Sequence, residues 1–479
     1  MSGKLAVNAG LYVAISLVTQ GVTFLFWIVI AWWFSPSLIG LYTLVLFIVE
    51  LYSAVAVFGQ DAALTRFYYT SSRKDDVLKN ALIIVLSGAI AAIIFFMATV
   101  KTIPQLIPGL HNFFPENTIL AATVIFGNSL ANLVSVHYAA MKKVLLYGLY
   151  QGIKLLIFCF LSVLFIYFGM SVEGLLKATA ISSFTIILLF VFCERKEILK
   201  AVVSFPLAKE MIIYGLPLML YAAFGIFITY FGRVLLASYV NLAILGVYSF
   251  FLTITLQVNG FWGSVNRAWT PELFSRISRQ KSTALESAKT FSYVFVFLYL
   301  AGFTILVLIG ESFLFSWLFK PVYLDKVNLF YILLLGPIFT GIYTAFYPFY
   351  YYENKTTLIL FISIFLSGLQ ILVSIIFIKY WSDTGAAFSF YLMSSISTIS
   401  YIFFFRRQIE NFQEQLRFLF ILVLLTLVSV VTLLVTSSYL LFALAISVTT
   451  IAIFVIARPY ITDFFVNAAN TLKRGKVSL

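Results

Sequence analysis

Runs of about 20 consecutive apolar residues follow one another along almost the whole of this 479-residue chain, beginning with "LYVAISLVTQGVTFLFWIVIAWW" at 11–33. Inside hydrocarbon no water satisfies backbone N–H and C=O groups, so an apolar run of this length must bond them within itself, as an α-helix. At 1.5 Å per residue, roughly 20 residues cross a bilayer core of about 30 Å. Composition agrees: 62% of residues are hydrophobic and 10% charged, with a mean hydropathy of +1.04, against about a quarter charged in an ordinary soluble domain. The first run, 10–33, is longer than the roughly 7–15 apolar residues of a signal-peptide core and is followed by no small-residue cleavage site, so it is read as a retained span. Cys159 and Cys193 both fall inside predicted spans, which excludes a disulfide framework and a zinc site of the usual spacing.

Charged or Pro/Gly-rich breaks divide the chain into fourteen predicted helices, at approximately 10–33, 38–58, 81–100, 118–141, 144–168, 172–193, 211–238, 243–265, 289–310, 328–350, 356–378, 384–405, 417–436 and 438–457. With the N-terminus in the cytoplasm, 24 of the 31 basic residues fall on the cytoplasmic side, four fall outside (Lys101, Lys320, Lys326, Lys379) and three lie within spans. This is the positive-inside pattern for an even number of helices, and it predicts that both termini are cytoplasmic. The net charge of +13 is thus dispersed over short loops beside anionic headgroups, which excludes a nucleic-acid-binding face.

The longest external segments, around "KTIPQLIPGLHNFFPEN" and "ESFLFSWLFKPVYLDK", have about 17 residues, too few to hold the catalytic groups of a membrane enzyme that polymerises or transfers sugars. There is no Gly-rich phosphate loop, no pair of external carboxylates and no His/Cys cluster, the only histidines being His111 and His137. No catalytic residue, metal or resident cofactor is expected. A transporter is the more economical reading.

Internal symmetry is common in transporters. "SLIGLYTLVLFIVE" at 37–50 lies over "AILGVYSFFLTITL" at 243–256, an offset of 206 residues that pairs Gly40 with Gly246 and Tyr42 with Tyr248. Together with a basic linker at 194–210, the offset divides the chain into an N-lobe, 1–200 (spans 1–6), a C-lobe, 201–410 (spans 7–12), and two additional spans with a tail, 411–479. The expected fold is an all-α polytopic membrane protein of about 14 transmembrane helices: two pseudo-symmetric six-helix lobes plus two C-terminal helices.

The stretches "FGQDAALTRFYY", "YGLPLML", "YFGRVLL", "AILGVYSF" and "NRAWTPELF" resemble the polysaccharide transporter family of bacterial lipid-linked oligosaccharide (O-antigen, Wzx-type) flippases. That family lies within the superfamily that also holds multidrug exporters and peptidoglycan-precursor flippases. The resemblance covers the chain in length, span number and two-lobe layout, and it is sharpest from about 214 to 274. It implies movement of an undecaprenyl-pyrophosphate-linked sugar unit, such as an O-antigen repeat, from the cytoplasmic to the periplasmic leaflet of the bacterial inner membrane. It further implies a central cavity between rocking lobes and proton or sodium coupling. The implied partners are the lipid-linked substrate, membrane lipids and other polysaccharide-assembly proteins. One departure is Gly232, standing where many relatives place an acidic or small polar residue before the arginine of span 7.

Charges inside spans cost roughly 2.5–3.5 kcal/mol each on insertion scales, so they face a bundle interior or a wet cavity. Glu50 and Lys154 fall near midplane, while Arg233, in "ITYFGRVLLASYV", lies nearer the outer end of span 7 with no acidic residue within six positions. Lys177, close to a helix end, is read as snorkelling to the interface. Arg233 and Lys154 are expected to form a cationic cavity, the one supplying a planar fork and the other a point charge for phosphate oxygens. Arg66 and Arg267 occupy equivalent cytoplasmic ends of the two lobes and either receive the pyrophosphate or act as positive-inside anchors. Glu50 is either a proton or cation site or the static partner of Lys154. Pro337, beside Gly336, and Pro217 are expected hinges of spans 10 and 7. A multidrug or small-cation exporter of the same superfamily calls for an acidic, aromatic cavity, against one acid and three bases in these spans. A membrane enzyme or scaffold of glycan assembly calls for an external catalytic loop.

Overall fold

The computed structural model describes residues 3–70, 74–141, 143–310, 314–352, 356–406, 412–436 and 438–475, with side chains over most of them; those of 261–272 and 351–360 are among the exceptions. The described residues form the long helices α1 (Gly3–Trp33), α2 (Pro36–Val57), α3 (Gln60–Thr70), α4 (Lys74–Thr99), α5 (Phe114–Ala140), α6 (Val144–Tyr167) and α7 (Val172–Lys200). There follow α8 (Phe205–Tyr239), α9 (Leu242–Arg279), α10 (Lys281–Ile309), α11 (Val327–Tyr352), α12 (Thr356–Phe404), α13 (Phe412–Thr436) and α14 (Tyr439–Gly475). Short helical turns at Ile103–Leu106, Pro108–Leu110, Phe315–Leu318 and Pro321–Leu324 complete the connections, and no strand occurs among the described residues.

Among the described residues twelve helices are long and apolar enough to cross a membrane, and α9 adds a shorter apolar stretch, Leu242–Val258. In α12 the apolar part, Phe361–Phe404, is 44 residues long, about twice what one crossing needs, and Ser382 breaks it with a left-handed φ of 52°. Counted as two crossings, α12 brings the total to the fourteen spans expected. The all-helical polytopic fold is therefore the observed one. Hydroxyls that would otherwise be stranded in hydrocarbon bond back to the preceding turn, as Thr43 does to the Ile39 carbonyl, Ser129 to Ile125 and Thr426 to Leu422.

Residue contacts gather the chain into two compact units, Leu17–Phe250 with Ser374–Asp383, and Met1–Ser16 with Phe251–Val373 and Thr384–Leu479. In the first unit, α2 starts with a proline in its first turn and stops at Phe58, whose φ of 54° is left-handed, and Gly59 follows at φ +65°. This double break separates α2 from α3. A Cβ on Gly59 would collide with the backbone of Gly215, so α8 lies directly against the break. The apolar core here is built from Leu64, Val77, Leu130, Val134, Tyr138 and Phe190, with the ring of His137 edge-on to Tyr138 and Phe190. Small residues let helices approach closely: a Cβ on Gly88 of α4 would strike the Ala56 carbonyl of α2.

The same unit contains a reciprocal contact. A Cβ on Gly40 would meet the Leu242 carbonyl and the Gly246 nitrogen, and a Cβ on Gly246 would meet the Pro36 carbonyl. Pro36 and Leu242 are themselves 206 positions apart, as are Gly40 and Gly246. Residue and partner thus exchange roles across the contact, the mark of a twofold relation, and the register is that of the sequence repeat.

In the second unit α10 packs along α14, which packs against α13. Lys289 of α10, buried to 8% exposure, meets Glu414 of α13 at 2.5 Å, and its ammonium lies 4.8 Å from the ring centre of Tyr460 on α14. One lysine therefore ties both C-terminal helices to α10.

Candidate functional site

A cavity of about 420 Å³ lies within the unit Leu17–Phe250, room for roughly a dozen waters at about 30 Å³ each. Helix α2 turns Glu50, Ser53, Ala54 and Val57 toward it, and α5 turns Asn128, Ala131, Asn132 and Ser135. Both sets follow the i, i+3, i+4, i+7 spacing of one helical face. Helix α6 adds Gln151 and Lys154, one turn apart, α8 adds Ala222 and Ile226, and the break after α2 adds Gly59 and Asp61. Small and apolar residues thus give the room while amides, hydroxyls and three charges give the chemistry.

The polar groups are partly engaged with one another. Ser183 donates to Asn128 Oδ1 at 2.9 Å, and Gln151 Nε2 donates to Ser135 Oγ at 3.2 Å. Glu50 Oε2 accepts a hydrogen bond of 2.9 Å from the Tyr230 hydroxyl of α8. The Tyr230 ring stacks on Phe47 at 5.6 Å, and the Arg233 guanidinium lies 4.5 Å from its centre. Asp61, in the first turn of α3, accepts the Ala62 N–H at 2.9 Å, a carboxylate placed where the helix dipole favours it.

The residues expected from sequence divide as follows. Glu50 and Lys154 line the same cavity, but no ion pair joins them among the described residues. Arg233 is buried to 3% exposure, does not line this cavity, and lies within electrostatic reach of Glu50. Its Nε has no hydrogen-bond partner among the described residues. Arg66 lies exposed on α3 with its guanidinium 4.4 Å from the ring centre of Tyr214 of α8. Arg267 belongs to α9, and its side chain lies outside the described residues. Pro217 stands inside α8. Pro337 is buried in α11 beside Gly336, whose Cβ would strike the ring of Phe390. Sequence reasoning had not singled out Asn128, Asn132, Gln151, Asp61 or Tyr230. The signal for the first two was the polar periodicity of "GNSLANLVS" within an otherwise apolar helix. Among the described residues no group of three His, Cys, Asp or Glu could hold a metal ion.

The polytopic helical bundle encloses a polar cavity, and its fold is similar to those of solved MOP superfamily transporters. It matches an inward-facing multidrug resistance MATE family transporter with a TM-score of 0.67 at 16% identity, over 85% of this chain and 99% of the other. The lipid II flippase MurJ, in an inward closed conformation, matches over 97% of this chain and 100% of its own, with a TM-score of 0.58 at 16% identity. A MOP superfamily transporter from Pyrococcus furiosus, described as having a binding pocket of reverse polarity, matches over 86% and 96% with a TM-score of 0.61 at 16% identity. A search of curated proteins finds no match. The chain belongs to the family described as polysaccharide biosynthesis protein, which matches residues 5–278.

Proposed function

We propose that this chain moves an undecaprenyl-pyrophosphate-linked oligosaccharide, the repeat unit of an O-antigen or other surface polysaccharide, from the cytoplasmic to the periplasmic leaflet of the bacterial inner membrane. The observation that carries this reading is the amide-rich cavity with its lysine, walled by otherwise apolar helices, in a chain of the polysaccharide biosynthesis family. Charged and amide groups at span depth are costly, and a bundle that only holds itself together has no use for them facing open space. A passage for a hydrophilic head group does. The extent of the fold match adds support: MurJ, a lipid II flippase, is matched over 97% of this chain and the MATE transporter over 85%.

In this reading the lobes 1–200 and 201–410 rock between inward-open and outward-open states, bending at Pro217 and Pro337, and no covalent step or cofactor is involved. Arg66 and Arg267 receive the pyrophosphate at the cytoplasmic ends, and Lys154 with the amides meets the sugars. Glu50 takes the coupling proton or sodium ion, and Arg233 serves as its counter-charge through Tyr230. Membrane lipids and other polysaccharide-assembly proteins are the remaining partners.

The test is a leaflet-translocation assay with the purified chain in liposomes, using a fluorescent undecaprenyl-pyrophosphate-linked oligosaccharide beside a cationic dye. Protein-dependent flipping of the lipid is expected. Export of the dye with no lipid flipping would transfer the chain to the multidrug-exporter reading.

A further inference from the structure

The flippase reading leaves open which sugars are carried, and the cavity wall bears on that choice. Three of its residues are charged. Glu50 is engaged by the Tyr230 hydroxyl, with Arg233 behind it, and Asp61 is engaged by the Ala62 N–H in the first turn of α3. Lys154 lines the cavity and forms no hydrogen bond or ion pair among the described residues. Each carboxylate thus accepts a hydrogen bond from within the protein, whereas the lysine faces open space. A lysine offers three donors and no acceptor, so the group that completes it is an anionic acceptor.

The unused polar atoms around it are of both kinds. Asn128 Oδ1 is taken by Ser183, which leaves the Asn128 amide N–H groups free, and Gln151 Nε2 is taken by Ser135, which leaves its Oε1 free. Asn132 has no hydrogen bond among the described residues and offers both an acceptor and donors. Hydroxyls, each a donor and an acceptor, are the ligand groups that match such a mixed wall. A pyrophosphate bears a charge on each phosphate and would set one lysine against an excess of negative charge. A single carboxylate on a polyhydroxylated ring matches both the lysine and the amides. The volume of about 420 Å³ lies within the range of small-molecule pockets, roughly 300–1,000 Å³.

We propose that this cavity is a sugar subsite selective for a carboxylate-bearing residue of the transported oligosaccharide, with Lys154 binding the carboxylate and Asn128, Asn132 and Gln151 binding ring hydroxyls. The inference rests on the flippase reading, and the experiment separates the two. The full chain in proteoliposomes is given undecaprenyl-pyrophosphate-linked disaccharides that end either in glucuronic acid or in glucose, with undecaprenyl pyrophosphate as competitor. A charge-assisted hydrogen bond corresponds to roughly a tenfold to hundredfold preference. The glucuronate-bearing lipid is expected to be flipped with kcat/KM higher by that factor. Lys154→Gln should abolish the preference between the two lipids, read as the ratio of their kcat/KM values in the same preparation, and Lys154→Arg should keep it.

Equal flipping of the two lipids by the wild type overturns the subsite and leaves the flippase reading standing. Competition by undecaprenyl pyrophosphate that disappears in Lys154→Gln assigns the lysine to the linker and also overturns it. If no lipid is flipped, the flippase reading fails, and the subsite is read directly from the thermal stability of the solubilised chain in millimolar glucuronate against glucose. A glucuronate-specific stabilisation, present in the wild type and lost in a folded Lys154→Gln, supports the subsite; its absence overturns it.

Discussion

A guanidinium stays charged under all conditions a protein meets, so the burial of Arg233 has to be compensated where it lies. The compensation runs through Tyr230, one turn earlier on α8, whose ring faces the guanidinium and whose hydroxyl reaches Glu50 on α2. Half of this arrangement was legible in the sequence. An arginine in an apolar run with no acid nearby announces itself, but Glu50 is 183 positions away and Tyr230 is one of 28 tyrosines, most of which a membrane protein spends on interfaces and packing. A long-range pairing of this kind leaves no local pattern. Losing a hydrogen bond to a buried charged group costs about 1–3 kcal/mol. Tyr230→Phe should therefore lower the melting temperature of the detergent-solubilised protein. If Arg233 is the counter-charge of Glu50, Glu50→Gln and Arg233→Met should be less than additive when combined. Strict additivity of the two would detach Arg233 from Glu50.

At the scale of helices, the spans were legible because bilayer thickness fixes the length of an apolar run, and their ends because charges and glycines interrupt it. The break after α2 was marked by "FGQD" and the one inside α12 by "KYWSD". That α3 would continue as an eleven-residue helix was not legible, since a short segment with few apolar neighbours carries almost no periodicity. Nor was the cavity, because a polar stripe on one helix becomes a wall only when other helices bring theirs to meet it. The repeat, by contrast, reached from sequence into packing. Gly40 and Gly246 press on the carbonyls of Leu242 and Pro36, positions that the 206-residue offset makes equivalent. Equivalent positions in one reciprocal contact should respond alike: Gly40→Val and Gly246→Val should each reduce the yield of folded protein to a similar degree, and the double variant should fall short of their sum. A large inequality between the singles would mean that only one side of the contact is close. Gly59→Ala should cost about 1–3 kcal/mol from its left-handed backbone alone, and more from the Gly215 backbone behind it, seen as a lower melting temperature. Pro337→Ala restores a backbone donor to α11 and removes its freedom to bend. Slower flipping with an unchanged folded yield is the expected result, and an unchanged rate rules out a hinge there.

Across the whole molecule, the charge pattern and the fold address different questions. The fold match and the family assignment fix a polytopic helical architecture, but neither says which end faces the cytoplasm. The distribution of basic residues predicts it, because orientation is set by Lys and Arg in short loops during insertion. His111 lies in a short external segment by this pattern, between α4 and α5, whereas Lys196, near the end of α7, lies on the cytoplasmic side. Both can be tested in one cysteine-free background, Cys159→Ser with Cys193→Ser. His111→Cys should react with a membrane-impermeant maleimide in intact spheroplasts, and Lys196→Cys only after the membrane is opened. The opposite pattern would invert the molecule, place the junction of α7 and α8 outside, and send the proposed transport from Arg66 and Arg267 in the wrong direction for a sugar assembled in the cytoplasm. Labelling at both positions from outside would require an even number of crossings between them, which α5, α6 and α7 would supply only if one of the three failed to span; a third cysteine at Phe168, exposed between α6 and α7, then tells α7 from the other two, since external reactivity there is expected only if α5 and α6 both cross.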